Sequence, residues 1–295
     1  MPLRTNVSKL VKLAVMGEVD QPIMRPSYSV SPDGEPKILP CVGGITLNVL
    51  VGDPAVGWQA DHVEPCVSLR FEKPKDPKSN GLNMLAQIGN EARVVTGDAR
   101  GARGLVTGKH GGIEHVMVDL PRRALERLTI GDKVQIVSHG LGLELVDYPG
   151  IKVRNLDPRL LARLGLRKKG AAIEVPVSAK VPAEVMGSGL GQDQTHSGDY
   201  DIQLFDAKTV KRHGLGALRL GDLVAITDAD HTFGRIYRAG ALSVGIVVHT
   251  DCTAAGHGPG VCTILAARDG RRLKPRASKR ANIADILKIG RRRGK

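Results

Sequence analysis

The stretch LSVGIVVHTDCTAAGHGPGVCTILAA, residues 242–267, decides the fold class. Two runs rich in Val and Ile flank a segment rich in glycine, and such short β-branched runs bounded by glycine and proline favour strands over helices. The segment between the runs contains His249, Asp251 and His257. Because glycine and proline fix an unusual backbone path around His257, we interpret this segment as a rigid loop that aims an imidazole and backbone amides at a ligand.

The same pattern recurs along the chain. Runs rich in Val and Ile predict strands at 10–16, 45–51, 66–71, 115–120, 133–138, 172–177, 223–228, 242–249 and 261–267. Aspartate or proline at the first positions predicts short helices at 121–128, 157–165 and 206–214, and the polar segment 72–81 is expected to be an exposed loop. The sequence therefore predicts a mainly β fold with a few short helices (α+β), built as two β-barrel- or sandwich-like modules packed together.

The 295 residues suggest about two domains. Pro-Gly in DYPGIK places a boundary there, giving an N-terminal β-rich domain at 1–147 and a C-terminal one at 148–267. Residues 268–295 are expected to form a basic tail, since they contain twelve basic and two acidic residues of a chain whose net charge is +13. Such a tail is a solvated segment, a subunit contact, or a site that holds nucleic acid through its phosphates.

Cysteine usage and apolar runs bear on the compartment. The four cysteines show no C-x-x-C spacing, which favours reduced thiols in a cytoplasmic protein. We find no signal peptide and no apolar run approaching the roughly 18 residues of a membrane span. The expectation is a cytoplasmic protein that binds a small molecule, forms a homo-oligomer and makes no membrane contact.

Polar side chains cluster where the predicted strands end. A carboxylate close to a histidine can share a metal ion with it or orient its imidazole, and antiparallel pairing is expected to bring the segment DADH (228–231) near HTD (249–251). The predicted ligands of a divalent metal, zinc or manganese, are His249, Asp251, Asp230, His231 and Glu64. The predicted catalytic residues are His257, Asp251 and His62.

A second cluster, in residues 95–121, combines glycines with basic side chains. It lacks the spacing of a phosphate-binding P-loop, but its glycines could form a nest of backbone amides that binds an anion. The predicted ligand-binding residues are Lys109, His110, Gly111, Gly112, Arg100, Arg103, Gly258 and Gly260. Asp199 and Asp201 form a further polar pair, to which no role is assigned.

Several of these motifs resemble one known family. GWQADHVEPCVSL, TGKHGGIEHVMVDLP, VPAEVMGSGLG with GDYDIQ, and DADHTFGR followed by VVHTDCTAAGHGPGV are similar, in this order, to the family catalogued as domain of unknown function 4438. The resemblance covers about Leu10 to Leu265 and implies no activity, because none is assigned to the family. A fainter likeness to acetamidase- and formamidase-type amidases rests on Leu-Gly-Asp turns and a polar glycine-rich loop, and such a likeness transfers no catalytic residue.

Two functional hypotheses follow. The first is a metal-dependent hydrolase of a small polar, amide-like molecule, with histidines and aspartates as ligands and general base. The alternative is a non-catalytic module that binds a small anion or nucleotide through its glycine-rich turns and basic residues. The basic tail would then add contacts to nucleic acid.

Overall fold

The N-terminal half of the protein forms a β-barrel. The computed structural model describes residues 3–24, 29–71 and 77–294. Its first strands are β1 (Leu13–Val19), β2 (Ser29–Val30), β3 (Pro36–Lys37), β4 (Val67–Arg70), β5 (Glu91–Val94), β6 (Arg103–His110), β7 (His115–Asp119) and β8 (Lys133–Ser138). The barrel closes in the order β1-β4-β7-β6-β5-β8, while β2 and β3 pair separately. Helix α1 (Pro77–Leu85) lies against β1 and β7.

The C-terminal half forms two further sheets. Its strands are β9 (Lys152–Val153), β10 (Arg167–Lys169), β11 (Ala172–Val177), β12 (Ala179–Val181), β13 (Tyr200–Asp201), β14 (Leu223–Asp230), β15 (Ile236–Val247), β16 (Gly260–Ala267) and β17 (Leu273–Ala277). The larger sheet has the order β12-β14-β15-β16-β13, with β9 also on β16, and the smaller has the order β10-β11-β17. The predicted fold class, mainly β in two packed modules, is confirmed.

The three helices predicted from their end residues are present. They are α2 (Arg122–Leu125), α3 (Pro158–Arg163) and α4 (Ala207–His213), and α5 (Ile283–Leu287) follows near the C-terminus. The carboxylates that precede α3 and α4 each accept a backbone N–H of the first turn, which satisfies amides that have no partner within a helix. Gly214 ends α4 with φ 67°, as expected for a glycine cap.

A shared apolar core joins the two halves. Val106, Val118 and Ile136 fill the barrel, whereas Ile88 and Met117 pack into a second core with residues of the C-terminal sheets. Burial of apolar surface drives both assemblies. The barrel is therefore fixed against the larger sheet, and the end of the β6–β7 hairpin faces β13 and β16.

The prediction of a strand at 45–51 is wrong. Within this segment the structure has only an isolated bridge, between Ile45 and Val67. Val49 and Val51 enter two different cores, and Leu47 is 52% exposed. The segment crosses between modules, so its alternating apolar residues serve two cores rather than one face of a sheet.

The expectation of a solvated C-terminal tail is also wrong. β17 pairs in parallel with β11, and Leu273 is buried beside it. Ile283 and Ala284 of α5 are buried in the shared core. The basic residues of 268–295 therefore lie around a folded segment. Its few apolar residues did not indicate a fold in the sequence, because charged residues dominate the segment.

Within the described ranges, no helix is long and apolar enough to cross a membrane.

Of the loop predicted at 72–81, residues 72–76 lie outside the described residues, and Pro77 begins α1. The domain boundaries at 147 and 267 stay predictions.

The folded C-terminus makes a testable prediction. Ile283→Ala should lower the free energy of unfolding by about 2–5 kcal/mol, because it leaves a cavity in the shared core. Denaturant titration of the full chain measures this change. Lys279→Ala, an exposed position in the same segment, is the control and should change the value by less than about 0.5 kcal/mol. Equal values for the two variants would contradict the packing described here.

Candidate metal centre

The segment that carries His62 runs alongside the segment that carries His249. The backbone N–H of Thr250 donates to the carbonyl of Val63, and that of His62 donates to the carbonyl of Asp251, both at 3.1 Å. His62 has φ 53°, a left-handed conformation that is uncommon for residues other than glycine and is concentrated at functional sites. The two imidazole centroids lie 5.1 Å apart.

β13 brings two carboxylates to the same place. Asp201 pairs with Gly260 at the start of β16, and Asp199 precedes it by two residues, the spacing that puts side chains on one face of an extended segment. Gly260 has no side chain, and Asp199 Oδ2 and His249 Nε2 occupy the space that a Cβ would need. These two atoms therefore approach to 2.8 Å.

His110, Asp199 and His249 form the first group of potential ligands. One nitrogen or oxygen atom from each lies within 4.8 Å of the other two, and all three residues are buried. His110 ends β6, so the barrel supplies one side chain and the C-terminal half supplies two. Zinc and manganese both accept a set of two imidazoles and a carboxylate.

His62, Asp201 and His257 form the second group. Asp201 Oδ2 lies 2.8 Å from His257 Nδ1 and 3.5 Å from His62 Nε2. The other oxygen, Oδ1, is 3.4 Å from His249 Nε2, so the two groups are continuous. The His257 side chain is 28% exposed, which places it at the mouth of an otherwise buried cluster.

Each side chain of the first group is held by a second partner. His110 Nδ1 lies 2.7 Å from Glu64 Oε1, and His249 Nδ1 lies 2.9 Å from the carbonyl of Thr250. Asp199 Oδ1 accepts the N–H of Gly111 at 2.9 Å. Partners of this kind fix the tautomer and direction of metal ligands in proteins. They leave one nitrogen or oxygen of each side chain for an ion.

Two of the remaining atoms lack hydrogen-bond partners in the described part of the chain. They are Asp199 Oδ2 and His249 Nε2, both buried. Their 2.8 Å approach satisfies the distance of an ion pair but not the alignment of a hydrogen bond. Buried polar atoms are nearly always hydrogen-bonded. A carboxylate oxygen and an imidazole nitrogen that lie side by side without an aligned hydrogen bond therefore fit a bound cation.

The electrostatics of the cluster favour ionised carboxylates. Burial alone would raise the pKa of Asp199, but the charges of His110 and His249 outweigh it and hold that pKa below its ordinary value. Burial opposes the charged form of His249 as well, yet Asp199 and Asp201 raise its pKa well above the ordinary value. A cation bound between the carboxylates would take the place of that proton.

A further group contains Asp61, His62 and Cys252. His62 Nδ1 lies 2.5 Å from Asp61 Oδ1, so the carboxylate orients the ring. Burial, followed by the neighbouring Asp61, raises the pKa of the Cys252 thiol, which keeps it protonated at neutral pH. A thiol in this state is a weak nucleophile.

Glu64 lies behind the cluster rather than in it. Its carboxylate is buried and accepts from the Gly43 N–H at 3.0 Å, from the Ser68 hydroxyl and from His115 Nδ1 at 2.8 Å, in addition to contacting His110. Glu64 therefore orients His110 instead of belonging to a group of potential ligands.

The cluster opens into a polar cavity of about 540 Å³. Its lining includes Gln192, Gln194, Ser197 and Arg235 beside the histidines and aspartates. A cavity of about 560 Å³ elsewhere is lined in part by Leu3 and other apolar residues, and none of the histidines and aspartates of the cluster lines it. The polar cavity is the one that a polar ligand would enter.

The predicted metal ligands are only partly brought together. In the β14–β15 ladder Asp230 pairs with Ile236, whereas Leu223 pairs with Ile246, three residues before His249. The expected meeting of DADH with HTD is therefore wrong, because antiparallel pairing puts them at opposite ends of the ladder.

The residues of these two segments have other contacts. Asp230 pairs with Arg238 and Arg268. The ring of His231 lies 4.7 Å from that of Tyr200. Asp251 accepts the N–H of Gly57. The structure therefore keeps the carboxylates of Asp230 and Asp251 outside the two groups around Asp199 and Asp201.

The basic residues predicted to bind a ligand lie away from the cavity. Arg100 is exposed, and Arg103 lines a different depression with the C-terminal segment. Lys109 is buried, and its Nζ donates to Asn155 Oδ1 at 2.9 Å and to the carbonyl of His196 at 2.8 Å. Burial lowers the pKa of this amine to about 7. The hydrogen bond to His196 braces the loop that leads to Asp199.

The four predicted glycines have different positions. Gly111 and Gly112 line the cavity with His110. Gly258 packs against the carbonyl of Ile202, and Gly260 accommodates the carboxylate–imidazole pair described above. Gly111 therefore contributes an N–H to a potential ligand, whereas Gly258 and Gly260 permit close backbone approach.

Asp199, Asp201 and Asp20 are residues of the site for which the sequence predicts no role. Asp20 Oδ2 lies 2.9 Å from His115 Nε2 and extends the network of Glu64. The Asp-x-Asp spacing was a signal that two carboxylates share one face, but it did not indicate which strand would lie beside them.

Comparisons with known proteins give a family and no activity. The models described as "Domain of unknown function (DUF4438), N-terminal" and "Domain of unknown function (DUF4438), C-terminal" match residues 28–162 and 163–287. A solved crystal structure, that of TM1086, is 46% identical with a TM-score of 0.92, over 97% of this chain and 99% of that chain. No curated protein matches the chain.

The close approach at Gly260 can be tested directly. Gly260→Ala should displace Asp199 from His249, because the new methyl group would overlap both side chains, and should lower the affinity for added Zn²⁺ or Mn²⁺ at least tenfold. Titration calorimetry measures this affinity for Zn²⁺ or Mn²⁺. Gly216→Ala, whose Cβ would meet nothing closer than 3.7 Å, is the control. Unchanged affinity in Gly260→Ala would argue against an ion at this pair.

The Glu64 network predicts a dependence of stability on pH. Burial opposes the charge on His115, but Glu64 and Asp20 raise the pKa of His115 to about 9. The stabilisation is complete below the unfolded pKa near 6.5 and is lost as pH rises through about 9. His115 should therefore contribute roughly 2–3 kcal/mol less to the free energy of unfolding at pH 9.5 than at pH 6. His115→Gln should flatten this slope in denaturant titrations, and His213→Gln should preserve it. A wild-type slope retained by His115→Gln would refute the assignment.

Proposed function

The chain belongs to the family defined by domain of unknown function 4438, and we propose that it is a metal-dependent hydrolase of a small polar, amide-like molecule. The observation that carries this proposal is the close approach of two buried atoms, Asp199 Oδ2 and His249 Nε2, which lie 2.8 Å apart and make no well-aligned hydrogen bond. They belong to a group of three potential ligand residues, two of which, His110 and Asp199, line the polar cavity.

The ion would be held by His110, Asp199 and His249, with Asp201 beside them. These nitrogen and oxygen donors suit zinc or manganese, whereas calcium prefers a shell of oxygen atoms alone. When bound, such a cation supplies Lewis acidity to a substrate carbonyl and makes nearby water more acidic.

Amide hydrolysis adds one water molecule across the C–N bond. The water oxygen bonds to the carbonyl carbon, the C–N bond breaks, and a proton from the water ends on the departing nitrogen. His257 is the group placed to carry that proton, since it is partly exposed and Asp201 Oδ2 lies 2.8 Å from its Nδ1. A histidine held by a carboxylate is a common general base and acid.

His62 has a different role in this proposal. Asp61 fixes its Nδ1, and its Nε2 lies 3.1 Å from His257 Nδ1 and 3.5 Å from Asp201. It would position His257 and Asp201 at the mouth of the cluster. The anion- or nucleotide-binding alternative has less support, because Arg100, Arg103 and Lys109 do not line the cavity.

Metal content tests the proposal. Protein purified without chelator should contain about one zinc or manganese per chain by elemental analysis, and His249→Ala and Asp199→Asn should lose it. His139→Ala, which changes a histidine that lines the other cavity, should retain it.

Turnover of small amides provides the second readout. It should disappear on chelation, return with the metal, and fall at least a hundredfold in His257→Ala, the scale expected for loss of a general acid–base group. A wild-type protein without metal, or equal metal content in all variants, would overturn the proposal.

A further inference from the structure

Arg235 is a buried cation on the wall of the polar cavity. It is 3% exposed and lies in the connection between β14 and β15. Its backbone is fixed on both sides, since its N–H donates to the carbonyl of Gln192 and its carbonyl accepts the N–H of Gly191, each at 2.8 Å. The position of this side chain is therefore set by the polar loop that precedes Asp199.

The guanidinium of Arg235 is incompletely paired. Its Nη2 donates to the carbonyl of Ser197 at 2.8 Å, whereas Nε is buried without a hydrogen-bond partner. Among the described residues, no carboxylate lies within ion-pair distance of it. Burial of a charge without a counterion is costly. The cavity therefore suits a ligand that carries a negative charge.

A second unpartnered donor lies on the same cavity. The hydroxyl of Tyr200 is buried and makes no hydrogen bond within the described residues, and the Arg235 guanidinium lies 6.0 Å from the centroid of its ring. Tyr200 is among the residues that line the cavity, together with Arg235 and Asp199. The residues that carry the two unpartnered donors therefore share one cavity with the proposed metal ligands His110 and Asp199.

We propose that Arg235, assisted by Tyr200, binds a carboxylate group on the substrate, so that the substrate is a small amide that carries a carboxylate. This inference rests on the proposed hydrolase. The planar fork of a guanidinium matches the two oxygens of a carboxylate. The carboxylate anchors one end of the molecule, and the amide faces the histidine and aspartate cluster.

The charge of the cavity favours a monoanion over a phosphate. Arg235 is the one permanently cationic side chain among the described residues that line it. Glu114, Asp199 and Asp201 line the same cavity, so the second negative charge of a phosphate would meet repulsion. A single carboxylate requires only the one counterion present.

Half-amides of dicarboxylic acids provide the test. Binding of malonamate, succinamate and glutaramate to the full-length, metal-loaded protein is measured by calorimetry against the neutral diamide of the same length. Wild type should bind at least one half-amide tenfold or more tightly than its diamide. Arg235→Gln should lose this preference, and Tyr200→Phe should reduce it. Arg276→Gln, an arginine outside the cavity whose Nε is also buried and unpartnered, should keep it.

The outcomes separate this inference from the proposed function. Equal binding of half-amide and diamide by wild type, no binding of any half-amide, or a preference that survives in Arg235→Gln would overturn the carboxylate site. Tighter binding of inorganic phosphate than of every half-amide would also overturn it. Metal content is measured on the same samples: Arg235→Gln should retain the wild-type value, whereas an absence of metal from wild type would overturn the hydrolase and leave the carboxylate preference to be judged on its own data.

Discussion

The buried carboxylate of Glu64 is the constraint on which the rest of the site depends. A charge without access to water must be matched by donors on every side, and Glu64 obtains them from a turn, a barrel strand and two histidines of the β6–β7 hairpin. These bonds hold the hairpin against the segment of His62, and the backbone of that segment holds the strand end that carries His249. The geometry around Asp199 follows from this chain of contacts.

Much of the fold could be predicted from local sequence. β-branched runs identified most of the long strands, and aspartate and glycine identified the ends of α3 and α4. The error at 45–51 has a physical cause, because an alternating pattern states only that residues are buried and not in which core. The C-terminal segment was predicted to be solvated because charged residues dominate its composition. Its buried residues, Leu273 and Ile283, are too few to show an apolar pattern in the sequence.

The candidate site was predictable as a set of residue types but not as an arrangement. His110 and His257 stood out because they adjoin glycines, and His62 and His249 because a carboxylate lies close to each of them in the sequence. Asp199 and Asp201 became relevant only through the pairing of β13 with β16, a long-range contact that no local pattern encodes. The expected approach of Asp230 and His231 to His249 failed because strand direction, rather than sequence proximity, decides which ends meet.

The parallel pairing of β11 with β17 joins residues that are about a hundred positions apart in the chain. The contact of His62 with His257 spans 195 positions. Contacts between such distant residues require large loops to close and slow the folding of a chain. Neither half of the molecule therefore carries the site alone, because His110 belongs to the barrel and Asp199 and His249 belong to the C-terminal half. Whatever chemistry the site performs becomes available only after segments as distant in the chain as those of His62 and His257 have come together.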